Sequence, residues 1–309
     1  MESSMSLVTN QTNRSDAQPQ WRTSKEFGPF GAQFCMISLP TNRTEKTTPL
    51  AEALIMQVDS TKRFSGLADM YAKARPTYPD VAIDYIMDIC KLTGKSQLAD
   101  VGCGTGISSQ LFAERGIQVT GVEPNADMRN KAAELIDKVK PGSLNLVEGT
   151  AENTSLKDSS VDAVLCAQAF HWFKPDLALR EFHRILKPEG WTVLVWNERD
   201  ESDAFTRAYG DAFRKLTEID KIEETHATSG IPLLTSEYFT KGELTRFENE
   251  QVLDREALIL RAFSASYAPK EAGLANRLKD MLNKDFERFQ SNGEVTLKYS
   301  VAVYSACRR

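Results

Sequence analysis

The sequence predicts an α/β protein, a doubly wound seven-stranded sheet with helical insertions at one edge. Two observations carry this. From about residue 95, short apolar runs alternate with amphipathic helical stretches, the rhythm of strand–helix–strand crossovers. Inside that rhythm, Leu98-Ala99-Asp100-Val101-Gly102-Cys103-Gly104-Thr105-Gly106 runs a strand into an acid, then into glycines at alternate positions, then into a helical pattern. In open α/β sheets such a turn lies at the carboxyl edge, where ligands bind. At 309 residues the chain is long enough for a sizeable core.

The expected organisation is a disordered tail over 1–58 and one domain over 59–309. Within the domain we expect amino-terminal cap helices over 59–94, a ligand-binding core over 95–198, a lid insertion over 199–241, and carboxyl-terminal strands and helices over 242–309. Residues 1–55 are rich in Ser, Thr, Asn, Gln and Pro without periodicity, which reads as a tail. An alternative is that translation begins at Met56. Residues 61–78 read as a short helix stopped before Pro76. Asp80 is placed to cap a second helix, with Ile83, Ile86, Met87 and Cys90 on one face up to Gly94.

The strands follow in order. Strand one spans 97–101, and the helix after Gly106 carries Ile107, Leu111 and Phe112. Strand two spans 117–122 and ends at Glu123. Asn125 then caps a helix whose stripe is Met128, Ala132, Leu135, Ile136 and Val139, ended by Pro141-Gly142. Strand three spans 144–147 and strand four 161–166. A helix from Pro175 to Leu186 buries Leu179, Phe182 and Ile185, and the turn Lys187-Pro188-Glu189-Gly190 leads into strand five, 191–196. Residues 199–239 read as helix and loop, and 244–253 as strand six. Residues 254–265 and 271–290 read as helical, and 295–306 as the final strand.

Composition narrows the function classes. A hydrophobic content of 41% and 26% charge are ordinary for a globular chain. The net charge of −5, with 38 basic against 43 acidic residues, offers no basic surplus for a phosphate backbone, so no nucleic-acid partner is expected. No apolar run reaches the roughly 18 residues of a membrane helix, and the amino terminus lacks the layout of a signal peptide. The five cysteines are scattered, with no CxxC pair, which fits reduced thiols in a cytoplasmic protein. With only His171, His183 and His226 beside them, no metal site is expected.

Four motifs in order carry a resemblance. Asp100–Gly106, Glu123, Gly149-Thr150-Ala151-Glu152 and Ala167-Gln168-Ala169-Phe170-His171-Trp172-Phe173 resemble the class I S-adenosylmethionine-dependent methyltransferases, a Rossmann-like family. The similarity is greatest to the UbiE-like and trans-aconitate methyltransferase-like small-molecule group. Tyr71, Arg75-Pro76 and Tyr78-Pro79 resemble that group's amino-terminal signature. The match covers about 61–198 well and the carboxyl third only in layout.

The resemblance implies S-adenosyl-L-methionine as cofactor. Gly102, Gly104 and Gly106 let the backbone lie against a ligand with no Cβ between, with Cys103 as filler beside them. The following helix points its positive end at an anionic group. Asp100 would serve the methionine portion, or else only cap the glycine turn. Glu123 can accept hydrogen bonds from both ribose hydroxyls. Pro124, Asn125 and Met128 would flank the adenine, although Asn125 as a pure N-cap is an equal reading. Thr150 and Ala151 join the cofactor set, and Glu152, next to the Ala151 backbone, would face the adenine amino group, against its reading as a surface helix cap. Gln168, Tyr71 and Arg75 complete the cofactor set. Arg75 suits a carboxylate of cofactor or substrate, or else faces solvent.

Tyr78, Phe170, Trp172 and Tyr267 are the candidate substrate residues, with Ser264 and Ser266 as weaker ones. The aromatic turn could enclose a sulfonium. His171 is the candidate catalytic base, against a packed turn in which it bonds the backbone. His183 and His226 read as structural. The expected activity is methyl transfer to a small-molecule carboxylate or hydroxyl. A cofactor-binding sensor or scaffold that transfers nothing is the alternative. A nicotinamide dehydrogenase is disfavoured by the glycine spacing and the acid after strand three, and a DNA or protein methylase by the missing Asn/Asp-Pro-Pro-Tyr/Phe run after strand four and the lack of a basic face.

Overall fold

The computed structural model describes residues 33–34, 74–219 and 228–309. Its elements are β1 (Gln33–Phe34), α1 (Asp80–Ile89), β2 (Gln97–Val101), α2 (Ile107–Glu114), β3 (Gln118–Val122), α3 (Ala126–Ala133), β4 (Leu144–Val147) and β5 (Val161–Ala167). They continue with α4 (Pro175–Ile185), β6 (Leu186–Arg199), α5 (Ala204–Arg214), α6 (Ile231–Thr235), β7 (Phe239–Leu253), α7 (Arg255–Phe263), α8 (Ala272–Phe289) and β8 (Val295–Arg308).

The strands form one sheet in the order β1-β7-β8-β6-β5-β2-β3-β4. β2 through β6 pair in parallel, whereas β8 runs antiparallel to both β6 and β7, and β1 antiparallel to β7. The winding reverses between β2 and β5, leaving a crevice at their carboxyl ends.

Period-two alternation assigns the sheet's side chains to two cores. Leu98, Leu165, Val193, Val195, Val301 and Val303 pack with Ile83 and Ile86 of α1 and Phe112 of α2. Their neighbours Ala99, Val164, Cys166, Leu194, Trp196 and Ala302 pack on the other face with Leu179, Phe182 and Ile185 of α4. The burial of Phe182, at 0% exposure, stabilises by about 1.5–3 kcal/mol. A third cluster joins Tyr209 and Phe213 of α5, Leu258 of α7 and Leu278, Leu282 and Phe286 of α8 to Leu253, Leu297 and Tyr299. This cluster holds the insertion against β7 and β8, near the carboxyl end of β6.

All seven expected strands form, and β1 adds a short eighth at the edge of β7. Local boundaries differ from the sequence reading for identifiable reasons. The helix capped by Asn125 ends at Ala133, and a separate 3₁₀ turn spans Ile136–Lys138, so Ile136 is exposed and not part of a buried stripe. The expected turn at Lys187–Gly190 is a bulge inside β6. Val161 pairs with Leu186 and Ala163 with Trp191, with Glu189 at φ 63 absorbing the extra length. β7 begins at Phe239 because Phe239 and Thr240 pair with Arg308 and Cys307 before the register shift. The helix expected over 61–78 lies outside the described residues apart from its last few, as do Met56, Tyr71 and His226. Among the described residues, no helix is long and apolar enough to cross a membrane.

Candidate active site

A cavity of about 520 Å³ opens at the carboxyl ends of the central strands. Its first wall is the turn after β2. Gly102 and Gly104 hold φ 72 and 55, and Gly106 holds φ 83 at the start of α2. The Gly102 N–H donates to the Val122 carbonyl at 2.8 Å, tying the turn to β3. The glycines differ in what requires them. A Cβ at Gly102 would meet Ala169 Cβ at 2.7 Å, and one at Gly106 would meet Leu135 Cδ1 at 2.9 Å. At Gly104 no atom of the described residues lies within 4 Å of that position. Gly102 and Gly106 are therefore required by packing, and Gly104 leaves open space at the cavity wall. Beside it, the buried Thr105 hydroxyl has no hydrogen-bond partner among the described residues.

Asp100 is fully buried and turned toward α2. Its Oδ2 accepts from Ser108 Oγ at 2.7 Å and Ser109 Oγ at 2.6 Å, which ties the strand to the first turn of the helix. Burial raises its carboxyl to about 6, although the serine hydrogen bonds work against that rise. Asp100 does not line the cavity.

Glu123, at the end of β3, does line it. Oε2 accepts from the Gly104 N–H at 3.0 Å and Oε1 from the Asn125 N–H at 2.9 Å. Burial raises this carboxyl, opposed by those two backbone bonds and by the nearby Arg129. Each oxygen keeps acceptor capacity for a ligand hydroxyl. Arg129 clamps the segment by donating to the Glu123 and Pro124 carbonyls at 2.8 and 2.7 Å. Asn125 is the N-cap of α3, with Oδ1 accepting from the Met128 N–H at 3.1 Å. It does not line the cavity, whereas Pro124 and Met128 do.

The loop after β4 supplies the next wall. Gly149 cannot carry a Cβ, since the Thr154 carbonyl would lie 2.9 Å from it, and Thr150 and Asn153 close a backbone bridge. Glu181 of α4 fixes the loop by accepting from the Thr154 N–H at 2.9 Å and Oγ1 at 2.6 Å. Burial works against its charge, but the bonds from Arg184 and Thr154 outweigh burial and hold its carboxyl below the usual range. Thr150, Ala151 and Glu152 line the cavity. Glu152 also accepts from the Lys174 N–H at 2.9 Å, so it caps α4 as the bland reading expected.

Gln168, after β5, holds φ 57, a strained setting for a side chain with a Cβ, fixed by its N–H donating to the Val195 carbonyl at 2.8 Å. Gln168, Trp172 and Phe173 reach the cavity, but Phe170 is 1% exposed and packs into the core with Phe182. Its expected place among substrate residues is corrected accordingly. His171 is also absent from the cavity wall. Its Nδ1 accepts from Trp196 Nε1–H at 3.4 Å, and its ring stands 4.6 Å from that of Trp172, so it is a packed turn histidine here.

The far end is lined by Trp196, Asn197, Glu198 and Arg199 from β6, Glu201 just beyond it, Arg214 of α5, Arg261 of α7, Tyr267 and Tyr299. Arg75 and Tyr78 border it as well, and Arg75 Nη2 donates to the Ser264 carbonyl at 3.0 Å. Of this end, sequence reasoning found only Arg75, Tyr78 and Tyr267. The charged run Glu198-Arg199-Asp200-Glu201 at the end of a buried strand was the available signal, because charge placed at a carboxyl edge faces the crevice. Cys103 packs against Gly121, where an added Cβ would meet its sulfur at 2.8 Å; burial pushes its thiol up, consistent with filler. Among the described residues no cluster suited to a metal ion occurs.

Comparison with known proteins gives the following. Residues 99–194 match the family model described as a methyltransferase domain. The chain is 37% identical over 153 residues to an uncharacterized methyltransferase of Mycobacterium tuberculosis, covering 50% of this chain and 59% of that one. It thus spans about six-tenths of the length of that relative. An uncharacterized methyltransferase-like protein of Schizosaccharomyces pombe is 28% identical over 260 residues, covering 81% of this chain and 96% of its own. A provisionally assigned type II methyltransferase from Anaeromyxobacter dehalogenans shares the fold, with a TM-score of 0.53 and 21% identity, covering 76% of this chain and 97% of its own.

Proposed function

We propose that the protein, whose residues 99–194 match a methyltransferase-domain family model, is a class I S-adenosylmethionine-dependent methyltransferase that moves a methyl group from S-adenosylmethionine to a small-molecule acceptor. One observation carries the reading: a single cavity joins the open face of Gly104 and the Glu123 carboxylate to a separate arginine- and tyrosine-lined end. The first end fits the cofactor. Gly104 leaves room for close approach, the buried Thr105 hydroxyl lacks a partner among the described residues, and Glu123 retains acceptor capacity for ribose hydroxyls. Met128 and Ala151 offer apolar surface for a base, with Thr150 and Glu152 beside them.

Bound S-adenosylmethionine would supply a methyl group activated on sulfur. The chain's own contribution is alignment in a water-poor site. Alignment of reactants supplies ~7–11 kcal/mol, whereas one general base contributes about 10²–10⁴-fold. His171, packed under Trp196, is given no proton to move in this reading. An acceptor that is already ionised, such as a carboxylate with a pKa of about 4, needs no base at neutral pH. A cytoplasmic location belongs to the same proposal and rests on the reduced-thiol reading of the five cysteines.

The test is incubation of the full-length protein with methyl-labelled S-adenosylmethionine and fractionated metabolite extracts, read by mass spectrometry. A labelled product supports methyl transfer and identifies the acceptor atom. Cofactor binding with no labelled species in any fraction would favour a sensor or scaffold instead.

A further inference from the structure

The far end of the cavity holds a charge that the cofactor reading leaves unused. Arg261 lies on α7, only 5% exposed, and lines the cavity. Among the described residues, its Nε and Nη1 donors meet no acceptor, and the buried Tyr209 hydroxyl near it has no partner either. The Tyr299 phenol bonds the same guanidinium. An arginine cannot shed its proton under these conditions, so burial leaves a full positive charge to be compensated.

The surrounding ions do not compensate it. Arg214 reaches Glu201 at 2.6 Å and Asp211 at 2.8 Å. Arg246 bonds Glu198 at 2.5 Å. Arg199 donates to the Tyr267 hydroxyl at 3.2 Å and stands 3.6 Å from Glu201. Arg199, Arg214 and Arg246 thus each have a carboxylate within 4 Å, whereas among the described residues Arg261 has no acid beside it.

We propose that this end of the cavity is a carboxylate subsite, in which Arg261 anchors an acidic methyl acceptor through its carboxylate. The proposal rests on the methyl-transfer reading above, in which the cofactor takes the other end. The chemistry favours this class of ligand on two counts. A carboxylate is acceptor-only, and the orphaned groups on Arg261 are donors. It also brings one negative charge to one uncompensated positive charge, whereas a dianionic phosphate would crowd Glu198 and Glu201. The tyrosine and tryptophan surfaces beside it would take the acceptor's apolar body.

The experiment uses the full-length protein saturated with S-adenosylhomocysteine, at fixed ionic strength and pH 7.5. Thermal unfolding is followed with formate, acetate, propionate and phenylacetate, with the matching amides, and with inorganic phosphate. At least one carboxylate should raise the Tm while its amide does not. Arg261→Gln should weaken that carboxylate by about tenfold or more and Arg261→Lys by less, with S-adenosylhomocysteine affinity within about threefold of wild type in both. Overturning results are a wild type that responds to no carboxylate, or only to phosphate, or a carboxylate response unchanged in Arg261→Gln. A loss of about tenfold or more in S-adenosylhomocysteine affinity would likewise overturn it, by assigning Arg261 to the cofactor. Should Arg261→Gln not fold, the wild-type contrast of acid against amide and the Arg261→Lys variant still decide. Failure of the wild type to bind S-adenosylhomocysteine would be a different result, overturning the methyl-transfer reading itself.

Discussion

Gly102 and Gly104 both sit in left-handed backbone, yet replacing each by alanine should cost stability to different degrees. Gly104→Ala puts a Cβ at φ 55 with no atom of the described residues within 4 Å of it. The left-handed setting costs about 1–2 kcal/mol, and the loss of unfolded-chain freedom returns about 0.4–1 kcal/mol, for a net cost of about 1 kcal/mol. That corresponds to a fall in Tm of about 2–4 °C. Gly102→Ala has the same backbone cost, and its methyl overlaps Ala169 Cβ at 2.7 Å and Phe173 Cζ at 3.0 Å. Overpacking adds about 1–3 kcal/mol, for a total of about 2–4 kcal/mol. Calorimetric titration with S-adenosylhomocysteine, beside thermal unfolding, separates the two. Gly104→Ala should be the milder change in stability and still lose tenfold or more in affinity, about 1.4 kcal/mol. If Gly104→Ala binds as the wild type does, the backbone there does not approach the ligand and the reasoning fails.

Three further predictions follow from individual groups. The Asp100 carboxyl is raised to about 6 by burial, above an unfolded value of about 3.9, so its stabilising share is full below about pH 4 and lost as pH rises through about 6, a change of up to about 3 kcal/mol. Urea unfolding of wild type and Asp100→Asn between pH 4 and 7.5 should therefore diverge, the wild type losing ground as pH rises; parallel curves would contradict this. Glu123→Ala removes a ligand acceptor and also strands the Gly104 and Asn125 N–H groups, so S-adenosylmethionine affinity should drop by about 1.5–3 kcal/mol by calorimetry. His171→Gln should change turnover of the identified acceptor by less than about tenfold, because His171 lies outside the cavity wall and accepts from Trp196; a loss of about 10²-fold or more would restore it as a base.

The half of the cavity proposed for the cofactor could be read from the sequence because local chemistry determines its geometry. Glycines in left-handed backbone, an acid ending a strand and a capping Asn each announce their role within a few residues of chain. Locality left two readings open at Asp100 and Glu152, whose spacing suits a ligand but whose side chains also satisfy helix termini, through Ser108 and Ser109 in one case and Lys174 in the other; Glu152 lines the cavity as well. Phe170 read as a substrate residue and His171 as a base, whereas the packing of Phe170 against Phe182 of α4 and the bond from Trp196 to His171 depend on elements remote in sequence. The far half was largely hidden. Arg261 sits in a helix whose sequence shows nothing unusual, and it meets Tyr299 of β8 only once α5, α7 and α8 close over the sheet. Contacts between positions so distant in sequence leave no local pattern to read.

The most direct test of the account is a calorimetric titration of the full-length protein with S-adenosylmethionine, repeated with NAD. The open face of Gly104 and the Glu123 carboxylate predict saturable one-to-one binding of S-adenosylmethionine, and the glycine spacing predicts none of NAD at the same concentrations. Absence of S-adenosylmethionine binding, or tighter binding of NAD, would contradict it.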